Sequence, residues 1–403
     1  MYLLTVALQG FAANGIFAVL FNLYLLRLGY GPEFIGLVVA AGQTAFCFSC
    51  LLTGAFGARW GSRRPLLVGF ALHALGYGLA SLAELIPLTG REGWLLATYV
   101  LFSVGSALHG VHSNPFLMSA TGVEERQHAF SVQAAVGPLA GFAGSLFGGI
   151  LPRFFAAALG AAGSEATPYR YAILLSALLL IPIVPVLWHT REAPVEPAPR
   201  RAGRRDNSPL IVILMWAFVS LIRHSGRAPA NTFFNVYLDA GLHLATAQIG
   251  LLTGAAKLVA VPAALVTPFF VARWGRCRTV VWGTIGVALS LLLLALVPHW
   301  SAAGVGFIGF TAFFAITSPV CSVYNQELVP PAWRPTMAGI VNTAIGLGTA
   351  AMSLGGGYAI AALGYRTLFL SSVALSACSA LFFWLFFGVP RGELARQNPK
   401  GRV

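Results

Sequence analysis

With 57% hydrophobic and only 9% charged residues over 403 positions, this chain cannot clothe a water-facing surface, where roughly a quarter of residues are normally charged. Lipid must be the solvent for most of it. Twelve spans of about 20 apolar residues plus short loops leave no segment here for a soluble domain, and the net charge of +13, which could point to nucleic acid, has a topological explanation.

In chain order the apolar runs place helices at 2–27, 33–57, 65–85, 94–120, 129–151, 171–189, 209–238, 246–271, 279–298, 302–328, 336–362 and 367–389. Such runs are far longer than barrel strands and do not alternate, so the fold class is an all-α membrane protein of twelve transmembrane helices. The first run begins at Tyr2 and is long enough to span, so it reads as a helix and not as a cleaved signal. Residues 190–208, with Arg191, Arg200, Arg201, Arg204 and Arg205 among prolines, are the one long hydrophilic stretch. This linker divides an amino-terminal bundle, 1–189, from a carboxy-terminal bundle, 209–403, each of six helices.

Placing the linker in the cytoplasm puts seventeen of the 25 Lys and Arg residues on that side, against five (Arg27, Arg91, Arg153, Arg170 and Arg366) on the other. A bias of this kind sets orientation. Both termini are therefore expected in the cytoplasm, and the compact loops suit a bacterial inner membrane. The basic charge needs no nucleic acid. Arg27 and Arg153, near helix ends, are expected to snorkel to the interface.

The two halves repeat. Phe21-Asn22-Leu23-Tyr24-Leu25 returns as Phe234-Asn235-Val236-Tyr237-Leu238; Ile35-Gly36-Leu37 as Ile249-Gly250-Leu251; Ala58-Arg59-Trp60-Gly61 as Ala272-Arg273-Trp274-Gly275; and Tyr169-Arg170 as Tyr365-Arg366. Four matches in the same order indicate two pseudo-symmetric bundles. Parallel repeats place a solute site near the bilayer midplane between the halves. Helix five (Gly137, Gly141, Gly144, Gly148, Gly149) and helix eleven (Gly346, Gly348, Gly355, Gly356, Gly357) are glycine-rich, which lets membrane helices approach closely. Cys47 and Cys50 form a C-x-x-C, but without histidine or a second pair they read as small packing residues.

The segment from Gly54 to Arg64, with Arg59, Gly61, Arg63 and Arg64, resembles the loop signature between helices two and three of the major facilitator superfamily. A weaker copy with Arg273 and Gly275 sits between helices eight and nine. The resemblance implies a carrier fold of two six-helix bundles in which these loops help gate the transport cycle. The family's aspartate in this loop is Ala58 here and Ala272 in the copy, so its charge-pairing lock is not implied for this chain. The third and sixth helices of each half are almost purely aliphatic, His73 apart, which resembles the family's arrangement of lipid-facing helices.

Ionisable groups inside spans are costly unless they face water or a partner. Three stand out: Arg223 and Arg227 in helix seven and Lys257 in helix eight, the last roughly 16–21 Å from either end of its span at 1.5 Å per residue. Arg223, Arg227, Asn231 and Asn235 are spaced by four along helix seven, a polar ridge; Asn14 and Asn22 occupy the corresponding ridge of helix one. Lys257 falls by repeat on Gln43, and Asn342 falls on Gln133. His109 and His112 share a face of helix four with Ser106 and Ser113. Asn22 and Asn235 read as interhelical hydrogen bonders. The candidate solute-binding set is Arg223, Arg227, Lys257, His109, His112, Gln43, Asn14, Asn231 and Asn342.

Three buried cations without a carboxylate in their helices predict a positive midplane cavity, suited to an anionic small molecule because arginine binds carboxylate or phosphate bidentately. The expected function is a secondary transporter moving an organic anion by alternating access, as a monomer in the lipid bilayer. The alternative is efflux of drug-like amphipathic compounds by proton antiport, in which the proton would fall on His109, His112, His224 or Lys257. No HExxH, GxSxG or carboxylate pair inside a span supports an enzyme. No motif calls for a cofactor, and the i, i+3 histidines lack further ligands for a metal.

Overall fold

The computed structural model of the chain describes residues 2–121, 123–162, 165–190, 209–330 and 333–389, with side chains for all of these except 54–60, 119, 123, 124, 126, 127 and 335. The predicted linker from residue 191 onward and the tail from residue 390 lie outside the described residues. Among the described residues every regular element is helical. In the first half are α1 (Tyr2–Arg27), α2 (Pro32–Trp60), α3 (Arg63–Ser81), α4 (Leu88–Ala120), α5 (Val123–Leu159) and α6 (Thr167–Trp188). In the second are α7 (Leu210–Gly241), α8 (Thr246–Leu265, continued by Thr267–Trp274), α9 (Arg276–Leu296), α10 (Trp300–Glu327), α11 (334–363) and α12 (365–387).

Ten of these helices are long and apolar enough by themselves to cross a bilayer. The longest, Thr336–Phe387, breaks at Gly364 into α11 and α12, which makes eleven; α3, 19 residues long and opened by Arg63 and Arg64, is the twelfth. Large apolar side chains such as Phe48, Leu52, Ile211, Leu265, Trp282 and Trp384 are exposed on the outside, as a lipid-solvated protein requires. The fifth helix runs past its predicted span of 129–151 at both ends. Pro138 and Pro152 lie inside α5, which continues to Leu159, because neighbouring helices in a membrane protein can re-satisfy the backbone groups that proline frees.

The internal repeat is written into the backbone. Among the described residues, those with positive φ fall in three pairs: Gly29 (89°) with His243 (55°), Gly61 (72°) with Gly275 (80°), and Gly160 (68°) with Gly364 (79°). Each pair holds corresponding turns of the two halves, α1–α2 with α7–α8, α2–α3 with α8–α9, and α5–α6 with α11–α12. Glycine serves five of the six because it enters this region without a Cβ clash.

The halves make close contact along α2 with α11, α5 with α8 and α1 with α7. Between α2 and α11, a Cβ on Gly36 would lie 2.3 Å from the Ser353 carbonyl oxygen, and one on Gly357 would lie 2.4 Å from the Pro32 carbonyl oxygen. Between α5 and α8, a Cβ on Gly149 would lie 3.1 Å from the Gly250 Cα. Between α1 and α7 the contact is reciprocal: Asn22 Nδ2 donates to the Thr232 carbonyl at 2.7 Å, and Asn235 Nδ2 donates to the Ala18 and Val19 carbonyls at 3.0 and 3.3 Å. Beyond them Arg27, expected to snorkel, instead pairs bidentately with Asp239 at 2.6 and 2.8 Å. The reason is that the pseudo-twofold brings the ends of α1 and α7 face to face, so a carboxylate on one end is nearer than the headgroups. These contacts clamp the end of the bundle farthest from the Gly61 and Gly275 turns.

Candidate functional site

The first helix is not uniformly α-helical. Residues Gly10–Phe17 form a π-helical stretch, and on leaving it the Ala18 N–H reaches back to the Ala13 and Gly15 carbonyls, passing over Asn14. Wide turns of this kind recur at functional sites. Here the turn widens α1 where it borders a cavity of about 320 Å³ between the halves. Residues from α1, α2, α3 and α4 line it on one side, and Asn231 and Thr232 of α7 with Thr349 of α11 on the other.

Two chemistries face this space. One wall is aromatic: Phe17, Phe21, Tyr77, Tyr99 and Phe102, with Phe17 stacked on Tyr77 at 3.6 Å between centroids and Phe21 on Tyr99 at 5.0 Å. The rest is dominated by carboxamides, Gln9, Asn14, Asn22, Gln43 and Asn231, joined by His73 and Ser106. The imidazole Nε2 of His73 lies 2.8 Å from Ser106 Oγ, and Gln9 Nε2 lies 3.2 Å from His109 Nδ1. Among the described lining residues there is no Asp, Glu, Lys or Arg. A carboxamide both donates and accepts, and an aromatic face takes a flat apolar surface, so the cavity can hold a molecule rich in hydroxyls or ring heteroatoms without neutralising a charge.

Of the residues singled out from sequence, Asn14, Gln43 and Asn231 line this cavity. Lys257 lies just behind it: its ammonium donates to the Asn14 carbonyl and to Ser145 Oγ, the latter at 2.7 Å. His109 is held off the cavity by its contact with Gln9, and His112 is buried on α4 away from the lining. Asn342 borders a second cavity, about 680 Å³, with Cys47, Cys50, Thr336 and Thr343 toward the end of the bundle that carries the Gly61 turn.

The two arginines face the interior of the second half. Arg223 donates to Thr317 Oγ1 at 2.8 Å and Cys321 Sγ at 2.9 Å on α10, and the Arg227 guanidinium lies over the Phe314 ring. The predicted shared vestibule for all three cations is thus replaced by two separate placements. A four-residue step overshoots one helical turn by about 40°, so the ridge slants. Arg223 turns toward α10, Asn231 toward the cavity and Asn235 toward α1.

The loop motif builds contacts within each half. Arg63 donates from Nε to the Leu187 carbonyl at 3.2 Å and also to that of Trp188, tying α3 to the end of α6. Arg64 and Arg273 are exposed, while Gly61 and Gly275 make the tight turns. The backbone of Gly54 and Arg59 belongs to α2, and their side chains lie outside the described residues. In the second copy Arg276 pairs with Glu327 at the foot of α10.

Sequence reasoning missed the aromatic wall and the part played by α3, expected to face lipid. His73 and Tyr77 are one turn apart and both point inward. The signal was present: a histidine and a tyrosine at i, i+4 on an otherwise aliphatic helix mark one polar face.

A family model described as Major Facilitator Superfamily matches residues 2–223 and again 216–403. Among solved structures, the inward-open xylose transporter XylE from E. coli superposes with a TM-score of 0.76 at 17% identity, covering 96% of this chain and 95% of that one. A mutant of the nucleoside transporter NupG gives 0.75 at 14%, covering 96% and 99%. A bacterial homologue of the human lysosomal transporter Spinster, inward-facing and occupied, gives 0.70 at 15%, covering 96% and 95%. No curated protein sequence matches the chain.

Proposed function

Because the chain belongs to the major facilitator superfamily, and is thus a membrane transporter and not an enzyme, we propose that its cargo is a small uncharged polar solute, carried by alternating access through the central cavity. The observation that carries this reading is the lining itself: five carboxamides and an aromatic wall, with no charged side chain among the described lining residues. The solutes named for two similar structures, xylose and a nucleoside, have this chemistry and support the reading.

In this account residues 1–189 and 209–403 rock as bodies about the 190–208 linker. The arginine bias supports cytoplasmic termini, and in this account the carrier sits as a monomer in a bacterial inner membrane. The Asn342 cavity then opens toward the cytoplasm, and the clamped end faces outward.

One observation favours the organic-anion reading instead. Lys257 contacts Asn14, a lining residue, across the half-to-half boundary, and an ammonium exposed by rocking would attract a carboxylate or phosphate. Counterflow in proteoliposomes separates the two. Uptake of labelled xylose or uridine, with succinate and glycerol 3-phosphate neither carried nor competing, is the expected result. Carriage of an anion alone would overturn the uncharged-solute reading.

A further inference from the structure

Lys257 is the one ammonium among the described residues that joins the two halves at mid-depth, and its surroundings are built for it. The π-helical stretch of α1 leaves the Asn14 carbonyl passed over by the Ala18 N–H, and Lys257 fills that carbonyl from the opposite half. Ser145 Oγ donates to the Gly141 carbonyl at 2.8 Å, so a lone pair remains for the ammonium at 2.7 Å. Gly141, bordering both the lysine stem and Asn14, gives the side chain its passage. Two elements of the first half thus supply acceptors to one cation of the second.

We infer that Lys257 is a latch that couples reorientation of the halves to solute, making the carrier an exchanger. Ser145 lies one turn along α5 from the Gly149–Gly250 crossing, so parting of that crossing pulls the ammonium off both acceptors. A lysine at mid-bilayer depth without acceptors is strongly disfavoured, and the empty carrier therefore stays clamped. A hydroxyl or carbonyl oxygen of the solute seated beside Asn14 replaces the lost acceptor, and the loaded carrier turns. This rests on the carrier reading above; a charge-assisted hydrogen bond corresponds to about ten- to hundredfold in equilibrium.

The test uses hydrogen–deuterium exchange on the full chain in nanodiscs without solute, read in peptides covering 28–36 and 238–248 at the clamped end. Lys257→Met is expected to speed exchange there about tenfold or more, with Ser145→Ala giving a smaller increase and Lys257→Arg close to wild type. Peptides across the α3–α4 contact within the first half should not change. Wild-type exchange at the clamped end in both Lys257→Met and Ser145→Ala would overturn the latch. If Lys257→Met loosens α3–α4 as well, Ser145→Ala decides alone. Uridine and xylose flux by wild type is scored separately: a latch effect without flux condemns the carrier reading, and flux with no latch effect condemns this inference.

Discussion

Asp239 and Arg27 illustrate what single residues decide in this molecule. Their bidentate pair joins the ends of α1 and α7 and is largely shielded, with 9% and 22% of the side chains exposed; the Arg27 guanidinium also lies over the Tyr169 ring, whose hydroxyl is 2.7 Å from Thr246 Oγ1. A shielded charge-assisted contact is worth about 1.5–3 kcal/mol, enough to bias which end of the carrier is closed. Asp239→Asn and Arg27→Gln are each expected to lower counterflow flux at least about fivefold, the factor for roughly 1 kcal/mol, and the swap Arg27→Asp with Asp239→Arg is expected to recover part of it. Equal flux in both single variants would mean the pair is ornamental. The sequence showed each residue near a helix end, but not that they meet, because their separation is set by the pseudo-twofold and not by any local pattern. Asn22 and Asn235 were more legible: a repeated amide in a repeated motif, now seen donating reciprocally to the partner helix.

At the scale of elements, the crossings of α2 with α11 and α5 with α8 depend on missing side chains. A Cβ on Gly250 would lie 2.5 Å from the Ser145 carbonyl oxygen and 2.7 Å from the Gly149 Cα, so no rotamer relieves it. Gly250→Val should therefore fold each half while preventing this end from closing. Its expected signature is loss of transport with accelerated hydrogen exchange at 28–36 and 238–248, and with the α3–α4 contact intact. Transport at the wild-type rate would contradict the crossing as a gate. The α7–α10 contact is different, a set of polar bonds inside one half. Thr317→Val leaves a guanidinium N–H of Arg223 without its oxygen, a loss of about 1.5–3 kcal/mol, read as a lower thermal midpoint without a change in solute KM. Helix number and register could be read from hydropathy because lipid imposes length. What could not be read was azimuth: the slant of the Arg223-to-Asn235 ridge sends residues spaced by four to different neighbours, and the inward face of α3 shows only in His73 and Tyr77.

For the whole molecule, the division into two six-helix bundles followed from repeats and charge, and the paired positive-φ turns show the same symmetry in three dimensions. The cargo was not legible, since it depends on which polar side chains converge. Composition drew attention to the three buried cations, whereas the cavity gathers amides and aromatic rings from six helices and places two of those cations inside the second half. The most direct test compares solute affinity across these two sets of residues. Gln43→Leu and Asn231→Leu are each expected to raise the KM for uridine or xylose counterflow by about threefold to tenfold, with Arg223→Met leaving KM unchanged within about twofold, since one hydrogen bond to a solute corresponds to about 0.5–1.5 kcal/mol. Unchanged KM in both amide variants, with loss of binding in Arg223→Met, would contradict a central cavity that selects uncharged solutes.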